Sequence, residues 1–192
     1  MPPVIRPTVV DDAKQILEIY SPIVTNTVTS FEVVPPTREE MCARISGTLT
    51  RFPWLVYSEA GRVLGYTYAS QHRQRPAYQW SVDVSVYVRP ELHRRGIGRS
   101  LYASLFEILR AQGYYSAFAG ITLPNEASIG LHTRLGFEPI GVYRGVGYKL
   151  GSWHDVSWWQ LALRPREDSP LPPTPYATLQ ESSKNRKSRE DN

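Results

Sequence analysis

The sequence predicts an α+β fold, with one mixed sheet sandwiched between helices. Three observations lead there. Residues 80–88 alternate strictly: Trp80, Val82, Val84, Val86 and Val88 share one face, and Ser81, Asp83, Ser85 and Tyr87 share the other. That is the period of a strand. Residues 96–112 instead set Ile97, Leu101, Leu105, Ile108 and Leu109 along one stripe, the mark of a helix buried on one side. Tight turns join the early strands and helices join the later ones, so hairpins and strand–helix–strand units must share the sheet.

The elements follow in order. Residues 4–6 read as a short strand. Asp11 or Asp12 caps a helix carrying Ile16, Leu17, Ile19 and Tyr20. Thr37 with Glu40 is spaced as a capping box and opens a helix to about residue 49. Strands at 54–57 and 63–68 flank an Ala60-Gly61-Arg62 turn. After the long helix, closed by Gly113, come a strand at 116–123 and a helix at 125–135 ended by Gly136. Strands at 138–150 and 156–163 finish the domain, and no internal repeat is visible.

Composition sets the bounds. The chain has 192 residues, 41% of them hydrophobic and 21% charged, with a formal net charge of +4. That excludes wholesale disorder. The mild basic bias suits an anionic ligand and is too small to argue for nucleic acid. With one cysteine, Cys42, no internal disulfide forms. No apolar run approaches the ~20 residues that span a bilayer, and residues 1–6 lack the apolar region of a signal peptide. A soluble, cytoplasmic protein is expected. Residues 165–192 differ in composition, with five prolines up to Pro175 and a basic run ending near Arg189. The expectation is one domain over residues 1–164 and a disordered tail over 165–192.

The informative segment is Val86 to Leu101, where a strand ends, a loop crosses and Gly96-Ile97-Gly98 opens a helix. First-turn amides of a helix have no intrahelical partners and carry partial positive charge, so they bind phosphate. Glycines let a pyrophosphate approach the backbone. Arg94, Arg95 and Arg99 surround the same point. A Rossmann fingerprint would need a third glycine where Leu101 stands, and a Walker loop would need Gly-Lys-Ser/Thr. Pyrophosphate binding is favoured over a merely structural glycine turn.

His93-Arg94-Arg95-Gly96-Ile97-Gly98 resembles the Gln/Arg-x-x-Gly-x-Gly/Ala acetyl-CoA signature of the GNAT N-acetyltransferases, with His93 in the Gln/Arg position. Asn125-Glu126-Ala127-Ser128, followed by Leu135-Gly136-Phe137, is similar to that family's next segment. Four further stretches narrow the likeness to phosphinothricin acetyltransferases: residues 51–56, 77–80, 85–88 and 147–160. The resemblance spans roughly residues 4–163. It implies a GNAT-like sheet with a bulge in the central strand, acetyl-CoA as co-substrate, no metal, and a homodimer. It also implies that pantetheine pairs with the backbone of Val86, Tyr87 and Val88, and that Asn125 and Ser128 flank the arm.

Acetyl transfer to an amine needs alignment, a base, oxyanion donors and an acid for the departing thiolate. Asp83, in an otherwise apolar strand, stands where the family carries a Glu proposed as base. Its alternative is a salt bridge with Arg73 or Arg75. His132 stands where many GNAT enzymes carry the acid Tyr, and its alternative is a helix histidine satisfied by a carbonyl. Tyr87 is a second acid candidate. Arg73, Arg75, Tyr78 and Phe31 are the expected acceptor contacts, since a guanidinium grips a carboxylate bidentately. His154-Asp155 is too sparse for a metal site. The expected activity is N-acetylation of a small amino-acid-like amine of the phosphinothricin or methionine sulfoximine/sulfone type, by direct attack. Peptide acetylation and a non-catalytic CoA sensor are the rivals.

Overall fold

The computed structural model describes residues 2–182. Seven strands form one sheet: β1 (Val4–Pro7), β2 (Trp54–Glu59), β3 (Arg62–Gln71), β4 (Ser81–Val88), β5 (Ser116–Thr122), β6 (Glu138–Lys149) and β7 (Ser152–Ala162). Its order is β1-β2-β3-β4-β5-β7-β6. Only β4 and β5 pair in parallel. The helices are α1 (Ala13–Asn26), α2 (Arg38–Arg51), α3 (Ile97–Gln112), α4 (Glu126–Arg134) and α5 (residues 176–182). The expected mixed sheet flanked by helices is thus present.

The alternation of residues 80–88 decides which layer each side chain joins. Val82 and Val84 are buried on the face covered by α3, together with Leu101, Tyr102, Leu105 and Leu109. Tyr87 packs on the opposite face, among Tyr20, Val24, Ile45 and Tyr66 of the α1–α2 layer. A residue slip in β4 would exchange the two sets.

The helix ends follow the sequence with one exception. Thr37 Oγ1 accepts from Glu40 N at 3.1 Å while the Glu40 carboxylate accepts from Thr37 N at 2.7 Å, which is the expected box. Asp12 does sit at the start of α1, yet its side chain does not cap it. The Arg6 guanidinium takes both its oxygens at 2.7 Å and the Val9 amide donates to Oδ2 at 2.9 Å, so the carboxylate is turned back toward the preceding residues and away from the first turn of α1.

The tail departs from expectation over its described part. Trp80 Nε1 donates to Leu171 O at 2.9 Å, and Gln112 exchanges backbone and side-chain bonds with Thr174. Tyr176 is only 3% exposed. Residues 171–176 therefore pack back on the domain, because one aromatic and the orphan polar groups at the end of α3 supply contacts that composition does not reveal. The basic run from residue 183 lies outside the described residues.

Candidate active site

The sheet opens at its centre. β4 pairs with β3 without a register break from Val82↔Gln71 to Val88↔Gly65. Against β5 it pairs only through Ser81, Asp83 and the residue between them. From Val84 to Val88 the side of β4 toward β5 has no strand partner. The expected bulge is thus realised as a divergence of two parallel strands, not as a shift in the β3–β4 ladder. The backbone of Val86, Tyr87 and Val88 borders that opening, as the sequence reading requires. His93 Nε2 lies 3.1 Å from Val88 O.

The chain leaves β4 through a short turn and enters α3 with Arg94 and Gly96 both in left-handed conformation, at φ 64° and 80°. Gly96 is the N-cap residue, so α3 has no side-chain cap, unlike α2. The amides of Ile97, Gly98 and Arg99 are the first three of the helix and have no intrahelical acceptor. A Cβ on Gly96 would meet nothing within 4 Å, so the turn is open. Arg94, Arg95 and Arg99 are exposed, and among the described residues no ion pair engages them. Uncapped amides and three free cations fit a diphosphate, and the adjacent strand opening fits an extended arm. Asn125 is the N-cap residue of α4, and Ser128 lies in the first turn of that helix. Asn125 Oδ1 accepts from Ser128 N at 3.1 Å, which leaves its amide N–H groups to donate elsewhere.

The candidate side chains divide between the two faces. Asp83 and Tyr87 share the α1–α2 face. His132 lies on the other, 3% exposed beneath α3. His132 Nδ1 is 2.8 Å from Ser128 O, and a carbonyl only accepts, so Nδ1 carries the proton. Nε2 then accepts from the Tyr102 hydroxyl at 3.2 Å. Burial lowers the pKa of this imidazole, and it is held neutral with both nitrogens used. Burial likewise pushes the Tyr87 phenol well above its ordinary range, aided by neighbouring tyrosines, so it remains protonated.

Asp83 is not paired with Arg73 or Arg75. His72, at the end of β3, reaches it instead, with Nδ1 2.6 Å from Oδ1. The His72 ring stacks on Phe118 at 4.2 Å and meets the edges of Tyr78 and Trp158 at 6.0 and 6.3 Å. Arg73 lies over the Trp158 ring, 5.6 Å from its centre. Burial raises the Asp83 pKa, opposed by the His72 hydrogen bond and charge and by Arg73. Tyr78 and Arg75 are exposed on the same loop. Phe31 comes from the α1–α2 loop and presses on the backbone of Gly147 in β6. Sequence reading missed His72 because it falls between a strand and a loop, where no period marks it. A small cavity of about 110 Å³ on this face is lined by Tyr20, Arg44, Trp54, Tyr66 and Tyr68 among others. His154 and Asp155 are spent locally, on Lys149 O and on Arg144 with Gly145 N.

The model of the acetyltransferase (GNAT) domain matches residues 5–158. The chain belongs to the GNAT acetyltransferase family. Among its relatives, a phosphinothricin N-acetyltransferase of Streptomyces coelicolor is 40% identical, over 83% of this chain and 95% of that protein. An L-methionine sulfoximine/L-methionine sulfone acetyltransferase of Pseudomonas aeruginosa is 39% identical, over 86% and 98%. The crystal structure of a Sinorhizobium meliloti phosphinothricin acetyltransferase in complex with acetyl-CoA superposes with a TM-score of 0.83 at 36% identity, covering 92% of this chain and 99% of that one. The protein is thus a GNAT enzyme, an acyltransferase that takes acetyl from acetyl-CoA. No helix among the described residues of this GNAT enzyme is long and apolar enough to cross a membrane.

Proposed function

We propose that this GNAT enzyme acetylates the primary amine of a small amino-acid-like acceptor, of the phosphinothricin or methionine sulfoximine/sulfone type. One observation carries the reading. Asp83 is the last residue of β4 paired to β5, so the polar His72–Asp83 pair stands where the strands part. The names of the relatives point to the same acceptors.

In this reading the amides of Ile97, Gly98 and Arg99, with Arg94 and Arg95, hold the diphosphate. The free edge of Val86, Tyr87 and Val88 aligns the pantetheine arm and offers a backbone donor to the developing oxyanion. Asn125 and Ser128 bound the arm from α4. The acceptor lies on the Asp83 face, with Arg73 and Arg75 toward its carboxylate and Tyr78 and Phe31 around its side chain. The amine is deprotonated by the His72–Asp83 pair and attacks directly. Tyr87, protonated and on that face, is the acid offered to the leaving sulfur. His132 acts as a tie between α3 and α4, since neither nitrogen has a proton to give outward.

We place two copies together through β6 and β7. The edge strand β6 and its partner expose Val142, Tyr143, Val146, Tyr148 and Trp153, the last 68% exposed. Such an apolar edge is rarely left to water. A cytoplasmic site of action accords with the single thiol.

Free-thiol release with a panel of amines tests the function. Turnover of methionine sulfone, methionine sulfoximine or phosphinothricin is expected, with N-terminal peptides slower by tenfold or more. Preferred turnover of peptides, or tight CoA binding without any turnover, would replace the reading.

A further inference from the structure

The geometry points to His72 as the general base of the acetyl transfer, with Asp83 as the carboxylate that orients it. This rests on the function proposed above and goes one step beyond it. Asp83 Oδ1 accepts at 2.6 Å, so the proton of a neutral His72 sits on Nδ1 and the lone pair on Nε2. Among the described residues no hydrogen bond engages Nε2. Nor is it one of the unpaired polar atoms shut off from solvent. The ring cannot turn freely, since Phe118 stacks on it with 16° between planes and Trp158 stands nearly perpendicular at 79°. A His fixed in one tautomer by a carboxylate, with its second nitrogen free, is the arrangement that proton abstraction requires.

The proton has to come off an ammonium, whose affinity for it is high. An imidazole, near 6.5 when unperturbed, accepts it far better than a carboxylate near 4. The groups facing His72 are Asp83 from β4, Arg73 on its own loop, Tyr78 from the following turn, and Phe118 and Trp158 from β5 and β7. Tyr68 of β3 couples to the pair through Asp83. In the step itself Nε2 takes one proton from the ammonium. The freed nitrogen pair forms the C–N bond, and the carbonyl–sulfur bond breaks with its electrons on sulfur. Tyr87 gives its hydroxyl proton to that sulfur, and the second N–H proton of the amine restores the phenol. The imidazolium then returns its proton to water.

The test is steady-state kinetics of the full chain with acetyl-CoA and methionine sulfone, from about pH 5.5 to 9.5. His72→Asn keeps a donor for Asp83 and removes the base. It should lower kcat about a hundredfold, leave KM for acetyl-CoA unchanged and abolish the acidic limb of the kcat profile. Added imidazole should restore part of the rate to His72→Ala. Asp83→Asn should lower kcat while Asp83→Glu recovers most of it. A His72→Asn enzyme within about threefold of wild type, or one keeping the same acidic limb, overturns the assignment. Should the variants misfold, nitrogen NMR of the wild-type imidazole decides. An Nδ1–H tautomer titrating with the acidic limb supports the base, and an Nε2–H tautomer overturns it. A wild type that turns over no amino-acid acceptor overturns the substrate reading together with this one. A working wild type with an indifferent His72 variant overturns this one alone.

Discussion

At Gly98 a Cβ would lie 3.3 Å from Leu131 Cδ2 and 3.8 Å from the Val86 and Val88 side chains, in the first turn of α3, where the proposed function brings a diphosphate to the backbone. Gly98→Leu should therefore raise the Kd for CoA at least tenfold, about 1.4 kcal/mol or more, by calorimetry. His132 yields a different prediction. Its pKa is lowered in the folded state, so the unfolded chain takes up the proton first as the pH falls. The stability this group contributes is complete above its unfolded value of about 6.5 and declines below it toward the folded value. Urea titrations should show wild type losing stability from pH 7 to about pH 5, with His132→Asn losing less over that window. As a tie, His132→Asn should keep kcat within about tenfold. A hundredfold loss at constant KM would make it the acid instead. Of the residues nominated from sequence, Asp83 and Tyr87 were placed together by strand period alone. His132 was nominated as an acid from its position in α4, and the partner that occupies its Nε2, Tyr102, is 30 residues away in sequence.

Elements obey rules that act over a few residues. The Thr37–Glu40 box closes α2 locally, and Thr37→Ala should cost about 1 kcal/mol in urea unfolding. In the same helix Gly47 is exposed, and a Cβ there meets nothing within 4 Å. Gly47→Ala should add roughly 0.5–1 kcal/mol and raise Tm. Both leave the site untouched, so kcat should not change. These features were legible because their partners lie within a turn. The Asp12 cap was misread because Arg6 competes for it from β1, across a chain reversal that no helix rule considers.

For the whole molecule, the opening between β4 and β5 depends on the sheet as a unit, because β5 is held by β7 over its full length while β4 follows β3. The tail adds to that unit from outside it. Tyr176→Ala should lower stability by about 2–4 kcal/mol, since a buried aromatic and its contacts are removed, and the CoA site should bind as before. An unchanged Tm would mean the tail does not dock in solution. Sedimentation should find a dimer, and Trp153→Asp should shift it toward monomer without abolishing CoA binding.

Periodicity, caps and glycine spacing by themselves determined the elements, the two faces of β4 and the uncapped glycine turn before α3, because each depends on residues a few positions apart. Tertiary structure alone decided that the sheet parts after Asp83, that His72 rather than an arginine meets that carboxylate, and that residues 171–176 dock on the domain. Those contacts join segments distant in the chain, and their partners are selected by burial and competition among many polar groups, which no local pattern encodes.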